Sequence, residues 1–179
     1  MRFTWFFCCL CSFSLFGQQA DILIRNGKIL DGTGNSWQYG DIAIRNGKIA
    51  AMGHLDQWHA NRTIDATGLI VAPGFIDVHT HIEEDERKNP TADNFIHDGV
   101  TTVITGNCGS SMVDLGKYFH FLDSLHLSIN VASLIGHNDV RNAVMGHANR
   151  DPTEPEMQKM EQLVEKAMQD GAAGLSTGL

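Results

Sequence analysis

His79 and His81 stand one residue apart at the end of the apolar stretch Pro73-Gly74-Phe75-Ile76-Asp77-Val78, and their type and spacing point to metal chemistry. On a strand, residues two apart share a face. A strand over 75–80 therefore aims both imidazoles the same way, where they can share one metal ion. A His-X-His pair alone is a weak signal. The Pro-Gly start, the buried-looking lead-in and a lone thiol one strand later, Cys108, strengthen it. A thiolate binds zinc strongly and can bridge two metals as a carboxylate does. Cys108 lies in Thr105-Gly106-Asn107-Cys108-Gly109-Ser110, where glycines let the backbone approach closely and aim a side chain. A small buried thiol is the alternative.

These groups need a scaffold that brings strand ends together. After Pro73 the texture alternates between strand and helix. A strand is expected over 75–80, a short helix over 91–98 closed by Gly99, and a β-branched, fully buried strand over 100–105. A helix follows with Leu115, Tyr118, Phe119, Leu122 and Leu125 at helical spacing, then a strand over 129–135. Thr153-Glu154-Pro155-Glu156 has the capping-box pattern. The helix it opens carries an apolar stripe of Met157, Met160, Leu163, Val164, Ala167 and Met168, read as core packing. A fourth strand is expected over 172–179.

Alternating βα units imply parallel strands with helical crossovers, and in such folds functional groups collect at strand C-termini. In order these are His79 and His81, then Cys108, then His137, then Ser176-Thr177-Gly178. His137 can contact substrate, orient a metal ligand, or serve as a hydrogen-bonded loop residue. Arg141 is a candidate partner for a substrate carboxylate, with a solvated arginine or a helix contact as the alternatives. Asp77 can support a ligand or tie down backbone. The acidic run Glu83-Glu84-Asp85-Glu86 reads as a solvated loop, and the remaining six histidines as structural.

Ahead of this region, Asp-Ile-Leu-Ile-Arg-Asn-Gly-Lys-Ile over 21–29 recurs as Asp-Ile-Ala-Ile-Arg-Asn-Gly-Lys-Ile over 41–49. Each copy reads as a hairpin on an Asn-Gly turn. With Asp31-Gly32-Thr33-Gly34 as the turn between copies, and strands near 63–65 and 69–71, residues 21–72 form a small composite β domain of the sandwich type. Residues 1–16 carry one charge, Arg2, before an apolar run too short to span a bilayer comfortably. Residues 1–20 are expected to be a signal peptide cleaved after Gly17 or Ala20; a misassigned start is the alternative. Cys11 follows Leu10, against a lipoprotein. Export to the periplasm or medium would remove Cys8, Cys9 and Cys11 and leave Cys108 as a lone thiol.

A formal net charge of -8 with no basic run argues against nucleic acid and anionic membranes as partners. At 179 residues, the β domain and four βα units amount to the first half of a (β/α)8 TIM-like barrel over 73–179, so the chain reads as truncated.

Together these segments resemble the amidohydrolase superfamily, most closely its N-acyl-D-amino-acid deacylase (D-aminoacylase) branch. The resemblance is carried by Ile-Arg-Asn-Gly-Lys-Ile, the stretch from Pro73 to His81, Gly99-Val100-Thr101-Thr102-Val103 and Thr105-Gly106-Asn107-Cys108-Gly109. Ile135-Gly136-His137 with Arg141 and Ala143-Val144-Met145, and Gly174-Leu175-Ser176-Thr177-Gly178, continue it. It implies one or two zinc ions held by His79, His81 and Cys108. The cysteine takes the place of the carbamylated strand-four lysine found in dihydroorotase-like and hydantoinase-like relatives, and 172–179 holds no lysine. The implied reaction is hydrolysis of a linear amide of a small N-acyl amino acid. The family's two further histidine ligands, on strands five and six, and its catalytic aspartate, on strand eight, have no counterpart in these residues. Ile82-Glu83-Glu84 stands where relatives often carry aspartates. A cyclic-amide hydrolase and a non-catalytic exported metal-binding module are the competing readings.

Overall fold

The computed structural model describes residues 18–83 and 85–178; the expected signal segment lies outside them, apart from its last three residues. The chain divides into two compact units, Met1–Pro73 and Gly74–Leu179.

The first unit is built on β1 (Gln19–Ile29), β2 (Gln38–Arg45), β3 (Lys48–Gly53), β4 (His59–Asp65) and β5 (Ile70–Val71). They form one five-stranded sheet in the order β3-β2-β1-β4, with β5 also on β1. The described residues thus give a single sheet rather than a sandwich. Gln19 and Ala20, the last residues of the expected signal segment, begin β1 and pair with His59 and Ala60. Ala20, Leu23, Ala43 and Leu55 form the core of this unit.

The two sequence copies fold differently. Asn46-Gly47 makes the expected hairpin turn between β2 and β3, with φ of 53° and 70°. Asn26-Gly27 does not: β1 runs straight through it, with a bulge between Ile24 and Gly27 in its pairing to β2. Asn26 still adopts φ 62°, but on its other side β1 is changing partners. Its pairing with β4 stops at Arg25–Asp65 and resumes on β5 at Lys28–Ile70. The Asn26 side chain bridges the gap by donating to Asp65 Oδ1 at 3.1 Å. Gly27 lies so close to Val71 that a Cβ there would sit 2.6 Å from its Cγ2.

The copies also cap each other. The Asn46 amide donates to Asp21 and the Asn26 amide to Asp41. Asp41 is buried and additionally accepts from Arg25 and from the Leu55 amide.

The second unit is mixed α/β: β6 (Phe75–Asp77), α1 (Asp93–His97), β7 (Val100–Thr105), α2 (Leu115–Leu125), β8 (Asn130–Ser133), β9 (Ile135–Gly136), α3 (His137–Met145), α4 (Glu154–Gln169) and β10 (Leu175–Ser176). β6-β7-β8 is a parallel sheet and β9-β10 a parallel pair. The Leu134 amide bonds to Thr105, while the Ile135 amide bonds to Gly174. Residues 130–136 therefore pass as one extended segment from β7 to β10, giving four neighbouring segments in chain order.

The first segment stops at Asp77 rather than Thr80, and the fourth is two residues long. β7 is less buried than its β-branched composition suggests: Val103 and Thr105 are fully enclosed, but Thr101 is exposed. α3 was not foreseen, because its short apolar pattern sits between strand and loop signals. The capping box of α4 is present. Met160 and Ala167 are buried in the α2–α3–α4 core, whereas Met157 and Met168 stay largely exposed at the edge of the stripe.

Glu86, read as solvated, is buried and accepts the hydroxyl of Tyr118. Burial, followed by this neighbouring carboxylate, pushes the Tyr118 phenol well above its ordinary range. A phenol held neutral in the folded state stabilises it fully below about pH 10, and that contribution is lost as pH rises further.

Two outcomes are expected. In urea unfolding, Asp41→Ala costs about 3 kcal/mol, because two amides and a guanidinium lose their acceptor, while exposed Asp21→Ala costs about 1 kcal/mol or less. Alkaline titration followed by tyrosinate absorbance shows a late ionisation that Tyr118→Phe removes, and that coincides with unfolding.

Candidate metal centre

The strand ladder outlasts the regular strand. Beyond Asp77 the chain bends, yet Thr80 donates both its amide and its hydroxyl to the carbonyl of Ile104, at 3.0 and 2.9 Å. The Thr105 hydroxyl returns a bond to the Thr80 carbonyl at 3.3 Å. Thr80 and Thr105 are both buried. Asp77 accepts from the His79 amide at 3.1 Å, so it ties down backbone next to the histidine. Residue 80, between the two histidines, is thereby pinned to β7. The His79 and His81 rings lie 5.6 Å apart, edge to face.

The cysteine arrives from β7. Residues 106–109 fold back as a tight loop in which Gly106, Cys108 and Gly109 have φ of 75°, 55° and 78°. The left-handed conformation at Cys108 costs a non-glycine residue about 1–2 kcal/mol, so neighbours must hold it. Asn107 is buried and donates to Ile104 and Thr80 carbonyls at 2.9 and 3.4 Å. Glu83 accepts from the Gly106 amide at 3.0 Å. Ser176 bonds to both ends of the loop.

The result brings three donors together. Cys108 Sγ lies 3.3 Å from His79 Nε2, and one donor atom from each of His79, His81 and Cys108 falls within 4.8 Å of the others. All three side chains are exposed. Ligands about 2.0–2.3 Å from a tetrahedral zinc stand roughly 3.3–3.8 Å from one another, so the His79–Cys108 separation already matches one edge of such a site. Two imidazoles and a thiolate suit zinc far better than magnesium or calcium, and three protein donors leave a position for water or substrate.

His137 and Arg141 are not part of this cluster. His137 is the exposed first residue of α3. With Val140, Arg141, Met157, Met160 and Leu175 it lines a groove of about 560 Å³. The Arg141 guanidinium is engaged by the carbonyls of Ala148 and Arg150, both at 2.8 Å, and contacts Met145 Sδ. It holds the loop segment that follows α3. Thr80, Thr105, Asn107, Glu83 and Ser176 were not singled out as supports of the site. Only Asn107 and Ser176 carried a signal, as the polar members of glycine-flanked segments at strand ends.

A family model described as the amidohydrolase family matches residues 62–179. The chain belongs to this family. The D-aminoacylase of Alcaligenes xylosoxydans xylosoxydans is 35% identical over 184 residues, covering 90% of this chain and 38% of its own length. N-acyl-D-glutamate deacylase of the same organism matches at the same identity and coverage. Among solved structures, N-acyl-D-glutamate deacylase from Bordetella bronchiseptica, complexed with zinc and a phosphonate mimic of the tetrahedral intermediate, aligns with a TM-score of 0.85 at 38% identity. That match covers 90% of this chain and 39% of the other. The chain thus spans 38% of the length of these two curated relatives.

Removing a donor should matter more than removing a support. In zinc titrations, Cys108→Ala and His81→Ala are expected to lower affinity by more than the roughly 10- to 100-fold typical of groups that only orient a ligand. His137→Ala should leave affinity unchanged.

Proposed function

We propose that this amidohydrolase belongs to a zinc-dependent enzyme that hydrolyses the linear amide bond of N-acyl-D-amino acids. The observation that carries the proposal is the convergence of His79, His81 and Cys108 from two adjacent parallel segments. The relatives named above, D-aminoacylase and N-acyl-D-glutamate deacylase, support the substrate class. In this reading, β6, β7, the 130–136 segment and β10 are the first four strands of a (β/α)8 barrel, with the donors at its mouth.

Zinc bound here would supply Lewis acidity, bringing a coordinated water toward neutral pKa and polarising the scissile carbonyl. The chain's own contribution is to hold the donors. Thr80 and Asp77 set the backbone that bears the imidazoles, and the 106–109 loop presents the thiolate. Proton transfer to the leaving amine needs a carboxylate, which we assign to residues outside these 179. Export of the protein fits a thiol kept by metal from oxidation. A linear rather than cyclic substrate is favoured by Cys108, together with the absence of lysine over 172–179.

The test is release of free D-amino acid from N-acyl-D-amino acids, with L-enantiomers and a hydantoin in parallel. Zinc-loaded enzyme bearing the complete site should release the D-amino acid, and preferential ring opening of the hydantoin would overturn the substrate assignment. The 179-residue chain alone is expected to bind zinc without measurable turnover. Metal-dependent release of a D-amino acid by that chain would sink the placement of the proton carrier elsewhere.

A further inference from the structure

We infer that Ser176 is a positioning residue for the Cys108 thiolate, so that β10 serves the metal centre by shaping another segment's ligand and not by supplying one. This rests on the metal-binding reading above and deepens it.

Ser176 is 8% exposed. Its hydroxyl accepts from the Gly109 amide at 3.0 Å and donates to the Gly106 carbonyl at 2.5 Å. These are the last and first residues of the loop that contains Cys108. One hydroxyl, from a residue nearly seventy positions away, closes the loop by spending both a donor and an acceptor function. The loop needs this closure. Its glycines take positive φ freely, but Cys108 is also left-handed at φ 55°, a conformation that an L-residue does not hold on intrinsic preference. Two positions on, Gly178 lies against the cysteine itself: a Cβ there would come 2.0 Å from the Cys108 carbonyl oxygen. Residues 176 and 178 therefore grip the loop together, one by hydrogen bonds and one by close backbone approach. Replacing the hydroxyl by hydrogen leaves the Gly109 amide and the Gly106 carbonyl without their partner. The loop relaxes, and Sγ leaves its place 3.3 Å from His79 Nε2.

A purely structural serine and a positioning serine differ in what they do to the metal. Cobalt(II) is the probe, because a thiolate ligand gives it a near-ultraviolet charge-transfer band. Cys108→Ala identifies the part of the band that belongs to Cys108, apart from Cys8, Cys9 and Cys11. Ser176→Ala is expected to weaken and shift that band and to lower cobalt affinity about tenfold or more. Ser176→Thr, which keeps the hydroxyl, restores both. Thr153→Ala removes the cap of α4, away from the loop, and should lower thermal stability with band and affinity unchanged.

An unaltered band and affinity in Ser176→Ala overturn this inference and leave the metal reading standing, as do equal losses in Ser176→Ala and Thr153→Ala. Absence of any Cys108-dependent band in the wild-type chain overturns the metal reading and this inference with it. Should Ser176→Ala fail to fold, Gly178→Ala decides. It keeps the hydroxyl but displaces the Cys108 peptide, so it should shift the band, and an unchanged band in the folded variant counts against the proposal.

Discussion

The carbonyl of Ile104 is the anchor of the candidate site. It receives the amide and hydroxyl of Thr80 and the side chain of Asn107. One oxygen at the end of β7 thereby fixes the segment that bears both histidines and the loop that bears the cysteine. A shift of β7 would carry both along together, so the spacing among the three donors is set by hydrogen-bond lengths and hardly at all by the packing of helices. That suits a centre whose donors must agree to a few tenths of an ångström.

Polar contacts can carry such a load only if none is left open. Thr80, Thr105, Asn107, Ser133 and Ser176 are all buried, and among the described residues no buried side-chain polar atom lacks a partner. The main apolar core of this unit lies elsewhere, among α2, α3, α4 and Ile135. Stability and site geometry thus draw on different sets of residues. None of the residues of that helical core is among the hydrogen-bonding groups that hold the three donors.

What could be read from the sequence follows from range. The alternation after Pro73, the helix stripes and the Thr153–Glu156 cap are local patterns, and each has its counterpart in the structure. His79, His81 and Cys108 stood out because donor chemistry is visible in residue type. Their supports were not legible: Ser176 touches Gly106 and Gly109 across nearly seventy positions, and no periodicity reports such a contact. Glu86 was misread for the same reason, since its partner Tyr118 is 32 residues away. Arg141 shows the converse, in that a guanidinium suited by type to binding carboxylates is occupied by main-chain carbonyls.

The six residues Ile-Arg-Asn-Gly-Lys-Ile occur twice and take two shapes, a through-going strand at 24–29 and a reversal at 44–49. The segment is a chameleon, and nothing inside it encodes the difference. The instruction is written on its neighbours, in Asp65 and in the methyl groups of Val71 that lie against Gly27. Before those neighbours arrive, the first copy has the same local reason to reverse as the second. Its extended form therefore rests on contacts some forty residues away, and its shape is a long-range property of the sheet and not a local property of the turn sequence.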